Sequence, residues 1–152
     1  WLDANQPADL DSCVIHGDWR IDNVVFDLQQ ARIVGVLDWE LATVGDPLMD
    51  LGSALAYWVD HDDEPAFASL RRQPSHLPGM PTREEFVARY LQLSGRACAD
   101  FTFYEVFGLF RLAVIIQQIW ARYRAGQTTN PAFAGFGDAV NTLINRAEGR
   151  IK

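Results

Sequence analysis

The chain has 152 residues, 49% hydrophobic and 22% charged, which fits one domain with a single buried core and excludes disordered or low-complexity classes. Thirteen Lys and Arg against twenty Asp and Glu give a net charge of −7, so a phosphate backbone is repelled at long range and no nucleic-acid partner is expected. The two cysteines, Cys13 and Cys98, cannot make a metal site between them. Their spacing does not exclude a disulfide, but the apolar setting of Cys13 favours buried thiols in a reducing compartment, the cytoplasm.

Trp1-Leu2-Asp3 has neither a basic flank nor an apolar run, so no secretory leader is expected, and with Trp rather than Met in first place a preceding segment is expected. Cys13-Val14-Ile15 is a short apolar run broken by Gly17. Val24-Val25-Phe26 and Ile33 to Leu37 are β-branched runs separated by the polar stretch Asp27 to Arg32, which predicts a hairpin. Closing it on a Leu28–Ile33 pair puts Asn23 directly opposite Asp38. Asp46-Pro47 reads as a helix cap with proline at the first helical position, followed by Leu48, Leu51, Leu55 and Trp58 on one face to about Val59. Residues 60–81 hold four prolines and the acidic run Asp60 to Glu64, and read as a long solvated connection. Thr82-Arg83-Glu84-Glu85 predicts a capping box, with Phe86, Val87, Tyr90 and Leu91 inward and Gly95 as the stop. Thr102-Phe103-Tyr104-Glu105 reads as a second box, opening the longest helix to about Gly126. Glu105, Arg111, Gln117 and Gln118 interrupt its apolar stretch, so a buried core helix is expected rather than a membrane span of roughly 20 apolar residues. A last helix follows Asp138, with Val140, Leu143, Ile144 and Ala147 inward. The expected fold is α+β and mostly helical: a small antiparallel hairpin followed by a helical body, in one soluble domain over residues 1–152 with no membrane partner.

The chemistry concentrates in His16-Gly17-Asp18-Trp19-Arg20-Ile21-Asp22-Asn23 and Asp38-Trp39-Glu40. Phosphoryl transfer needs a carboxylate to orient the attacking hydroxyl and accept its proton, and hard oxygen ligands for Mg²⁺ on the nucleotide phosphates. Asp18 and Asn23 have the spacing of a kinase catalytic loop. An amide oxygen from Asn23 and a carboxylate from Asp38 suit Mg²⁺ better than Zn²⁺. Taken alone, Asp18 and Asn23 could simply cap turns.

His16-Gly17-Asp18 with Asn23, then Leu37-Asp38-Trp39-Glu40 and Gly45-Asp46-Pro47-Leu48-Met49-Asp50-Leu51, resembles the aminoglycoside phosphotransferase and choline kinase superfamily. The nearest likeness is to its branch fused to, or standing beside, acyl-CoA dehydrogenases. The resemblance implies the C-terminal lobe of a protein-kinase-like fold that uses ATP and Mg²⁺ to phosphorylate a hydroxyl of a small molecule. It implies Asp18 as the catalytic base, Asn23 and Asp38 as metal ligands, His16 holding the catalytic loop, and Asp50 bracing that loop through backbone N–H groups. Arg20, two residues after the base, could neutralise charge on the transferring phosphoryl group or pair on the surface with Asp22 or Glu40. Many relatives carry Leu-His-Pro-Gly where this chain has Trp19-Arg20-Ile21-Asp22. No glycine-rich phosphate loop, ATP-binding lysine or adenine hinge is found, so an N-terminal lobe in cis is expected as partner. The isolated segment is expected to be inactive and to self-associate through the uncovered face. The alternatives are a non-catalytic binding or regulatory kinase-like module, and a metal-dependent phosphohydrolase suggested by His61-Asp62.

Overall fold

The computed structural model describes residues 1–151. Asp27 builds the hairpin turn: its Oδ1 accepts the N–H groups of Gln29 at 2.9 Å and Gln30 at 3.1 Å. The chain therefore reverses over Leu28 to Ala31, with Ala31 left-handed at φ 50°. Strands β2 (Val24–Asp27) and β3 (Arg32–Val36) close on Asp27–Arg32 instead of the expected Leu28–Ile33. After Phe26–Ile33 the register shifts around Val34, so Val25 pairs with Gly35 and Val24 with Val36. This corrects the position expected for Asn23. Its carbonyl accepts the Leu37 N–H at 2.8 Å, and Asp38 falls beyond the ladder in a left-handed conformation, φ 63° and ψ 54°. A second antiparallel ladder, not foreseen from the sequence, joins β1 (Cys13–Ile15) to β4 (Thr43–Gly45), with Val14 opposite Val44.

Helix α1 (Pro47–Leu55) starts as expected, the Asp46 Oδ1 accepting the Leu48 N–H at 2.8 Å with proline following. It buries Leu48, Leu51 and Leu55 against α4 (Thr102–Arg124). The two helices touch at backbone level: a Cβ on Gly108 would stand 2.0 Å from the Gly52 carbonyl oxygen. Helix α5 (Phe136–Arg150) packs along the other side of α4, around Leu109, Leu112, Leu143 and Ala147. Helix α4 is long and apolar enough to cross a membrane by length and composition, and here its apolar residues Val106, Leu109, Leu112 and Ala113 are buried in the core. Helix α3 (Arg83–Ser94) has the expected capping box and ends at Gly95, φ 67°.

Three expectations change. Thr102 is the first residue of α4, not its cap. Its N–H goes to Asp100 Oδ1 at 2.9 Å, and Glu105 turns instead to Arg150 at 2.8 Å. Helix α5 begins at Phe136, before Asp138, so that Asp138 lies in its first turn. The connection over 60–81 runs largely on the surface, as expected, but it is anchored to the body at several points. It contains a short helix, α2 (Pro65–Ala68), whose Phe67 is buried in the core, and the Ser75 hydroxyl is bonded to both the N–H and the carbonyl of Val59. Within the acidic run, Asp63 accepts two 2.7 Å bonds from the Arg83 guanidinium and lies 2.9 Å from Arg146. Cys13 and Cys98 are free and half-buried.

Candidate active site

The loop between β1 and β2 is held by a buried histidine. The His16 Nδ1 accepts the Asp18 N–H at 3.2 Å, which makes Nε2 the protonated nitrogen, and that nitrogen donates to the Leu37 carbonyl at 2.8 Å. Leu37 in turn donates its N–H to the Asn23 carbonyl. The Asn23 side-chain Nδ2 closes the circuit on Asp18, 2.8 Å from its carbonyl oxygen and 3.2 Å from its carboxylate. Asp18, His16, Leu37 and Asn23 thus form a closed ring of hydrogen bonds, and Asp38 is the residue that follows Leu37. The sequence brings these groups together, but through Leu37 rather than through a direct Asn23–Asp38 pair.

From below, Asp50 on α1 accepts the N–H groups of His16 at 2.8 Å and Gly17 at 2.9 Å, one on each carboxylate oxygen. Gly17 sits at φ 79°, and a Cβ there would lie 2.4 Å from the Leu41 carbonyl oxygen, so only glycine fits this loop. Trp19 and Trp39 flank the imidazole, with ring centroids 5.7 and 4.8 Å away. Arg20 forms an ion pair with Asp22 and lies over the Tyr57 ring, 4.7 Å from its centroid. Burial pushes the Tyr57 phenol up, with the Asp18 charge adding to it and Arg20 and Arg111 pulling the other way.

Four contacts, made by three residues, were not foreseen. Gln73 Oε1 accepts the Ile21 N–H at 3.0 Å, pinning the far side of the loop. Arg111 on α4 donates to the Gly17 carbonyl at 2.6 Å. Asp46, besides capping α1, accepts the Leu10 N–H at 2.8 Å and the buried Tyr104 hydroxyl at 3.1 Å, and burial together with that carboxylate pushes the Tyr104 phenol up. Arg111 shows in the sequence as a charge inside an apolar helix and Asp46 as a helix cap, but neither pattern marks these contacts.

The site's oxygen donors fit Mg²⁺ chemically. Because Asn23 turns its amide nitrogen onto Asp18, its amide oxygen is left for a ligand. Asp38 is exposed and its side chain caps no turn, although a short 3-10 turn begins at the next residue. One amide oxygen and one carboxylate make the hard, partial donor set that Mg²⁺ takes when phosphates complete its shell. By contrast, His61 and Asp62 are exposed, and among the described residues no three His, Cys, Asp or Glu gather into a metal site.

The sequence profile of the phosphotransferase enzyme family matches residues 1–107. The chain belongs to this family. It is 36% identical over 149 residues to mouse acyl-CoA dehydrogenase family member 10, a match covering 97% of the chain and 14% of that protein. It is 34% identical over 160 residues to a probable acyl-CoA dehydrogenase, IBR3, of Arabidopsis thaliana, covering 99% of the chain and 19% of that protein. A solved structure from Ralstonia eutropha, described as a candidate aminoglycoside phosphotransferase, superposes with a TM-score of 0.74 at 28% identity, covering 91% of this chain and 42% of that one. The family member described here thus spans less than a fifth of these curated relatives and under half of the solved chain. Its fold is the α+β, mostly helical arrangement of a kinase-like phosphotransferase.

Proposed function

We propose that this chain carries the catalytic lobe of an ATP- and Mg²⁺-dependent phosphotransferase that phosphorylates a hydroxyl of a small molecule. The observation supporting it is the hydrogen-bonded ring through His16, which gathers Asp18, Asn23 and the segment entering Asp38 at one end of the β-hairpin. Asp18 orients the acceptor hydroxyl and takes its proton as the phosphoryl group arrives. Asn23 and Asp38 would hold Mg²⁺, which when bound neutralises charge on the nucleotide phosphates. His16 and Asp50 keep the base and its loop in one geometry. Catalysis of this kind is mostly positioning and charge neutralisation. Arg20 adds one charge contact, for which it must leave Asp22. The adenine and phosphates are gripped by a preceding lobe in the same polypeptide, consistent with the much longer chains this one matches.

The test uses this chain and a polypeptide extended upstream, each titrated with ATP and Mg²⁺. The extended form should bind and turn over nucleotide, with Asp18→Ala and Asp38→Ala nearly inactive and Arg20→Ala reduced about tenfold. Normal turnover by Asp38→Ala would refute the metal role, and micromolar ATP affinity in the 152-residue chain would refute the division into lobes.

A further inference from the structure

We propose that Arg111 is a positioning residue for Asp18, acting through the peptide that joins Gly17 to Asp18; this rests on Asp18 being the base. That peptide is planar, and both its polar ends are held. Its carbonyl takes the Arg111 guanidinium at 2.6 Å, and its N–H goes to His16 Nδ1 at 3.2 Å. With the following peptide held by Asn23 Nδ2 on the Asp18 carbonyl at 2.8 Å, fixing both ends of this plane fixes the direction in which the Asp18 side chain leaves the backbone. Such control is needed here. Gly17 is required by its approach to the Leu41 carbonyl, and glycine is the residue that most readily lets an adjoining peptide rotate. Asp50 holds the preceding peptide by its N–H, but does not touch the one that carries Asp18.

The source of the clamp is rigid. Arg111 lies in α4 between Leu109 and the pair Leu112 and Ala113, all buried in the core. Among the described residues it forms no ion pair, and the Gly17 carbonyl is its one hydrogen-bond partner. A half-buried guanidinium spent on a single backbone oxygen makes a charge-assisted bond, stronger than the long His16 contact at the other end of the plane. Loss of Arg111 leaves the base on a peptide held at one end only.

Amide hydrogen exchange on the 152-residue chain reads the clamp directly. In Arg111→Gln the Asp18 N–H should exchange about tenfold faster, while the ladder-bonded amides of β1 and the centre of α4 keep their protection, and Arg111→Lys should restore most of the slow exchange. In the upstream-extended polypeptide, Mg²⁺-ATP hydrolysis with water as acceptor should show kcat lowered on the order of 10²-fold by Arg111→Gln, with the KM for ATP unchanged, and largely rescued by Arg111→Lys. Asp18→Asn is run beside it. Full activity there overturns the base reading and the role given to Arg111 with it. Loss in Asp18→Asn with normal exchange and kcat in Arg111→Gln overturns the Arg111 inference alone. Faster exchange spread over β1 and α4 in both Arg111 variants assigns the residue to the fold and also overturns it.

Discussion

Gly17 meets two demands at once, a positive φ and a backbone oxygen where a Cβ would be. Gly17→Ala should therefore lose at least about 2 kcal/mol of stability, since the left-handed conformation and the backbone contact both resist a methyl group. Urea unfolding measures it, and a loss under about 0.5 kcal/mol would mean that the loop relaxes freely. The same residue scale shows what the sequence made legible in the site. His16, Asp18, Asn23, Asp38 and Asp50 stand in short ordered motifs, and their hydrogen bonds run largely within or between those motifs. Gln73 and Arg111 contact the loop from 52 and 94 positions away, and nothing local to them marks that use. Arg20 is legible as a charge beside the base, but its resting place on Asp22 and Tyr57 depends on α1 ending just before Tyr57.

At the scale of elements, sequence periodicity succeeds where a helix caps itself and fails where partners lie far off. Thr82 and Glu85 form their box because both belong to one turn. The equivalent Thr102–Glu105 pattern does not, because Asp100 competes for the N-terminal N–H and Arg150 for the glutamate. The acidic run misleads for the same reason: its cations, Arg83 and Arg146, come from α3 and α5. Burial pushes the Asp63 carboxyl up, but bonds from Arg83 and the Asp60 N–H, with the charges of Arg83 and Arg146, outweigh it and hold it below the usual range. Stability from Asp63 is thus complete above an unfolded value of about 3.9 and is lost as pH falls through its lower folded value. Burial leaves the neighbouring Asp60 raised despite Arg83, so its contribution runs the other way: it is complete below the unfolded value of about 3.9 and lost as pH rises through the raised folded value. Asp63→Asn should cost about 1–3 kcal/mol at pH 7, because the half-buried guanidiniums of Arg83 and Arg146 lose their shared anion, while Asp60 and Glu64 remain beside them. Its acid unfolding limb should be shallower than that of the unaltered chain, in chemical melts taken from pH 7 to about pH 2. An equal slope in both proteins would show that the buried pair does not set the acid limb.

For the whole molecule, the two halves differ in how they treat apolar side chains. The helical body buries Leu48, Leu51, Leu55, Leu109, Leu112 and Leu143 between α1, α4 and α5, whereas the β half leaves Val14 at 69%, Val44 at 67% and Leu28 at 90% exposed, with Leu37, Trp39 and Leu41 about half exposed. Val14 and Val44 face one another across the β1–β4 ladder, so their exposure forms one apolar strip. An uncovered surface of this kind favours association. In the extended polypeptide the preceding lobe should cover it; in the 152-residue chain a second copy should. The net charge of −7 opposes pairing of two copies, and salt screens that repulsion while leaving the apolar contact intact. Sedimentation velocity should therefore show a monomer–dimer equilibrium that shifts toward dimer with concentration and with added salt. Val14→Thr with Val44→Thr should shift it back to monomer without lowering the melting temperature, because neither side chain belongs to the core. The upstream-extended polypeptide should remain monomeric under the same conditions. A 152-residue chain that stays monomeric at high concentration and high salt would show that this strip is too small to hold a partner.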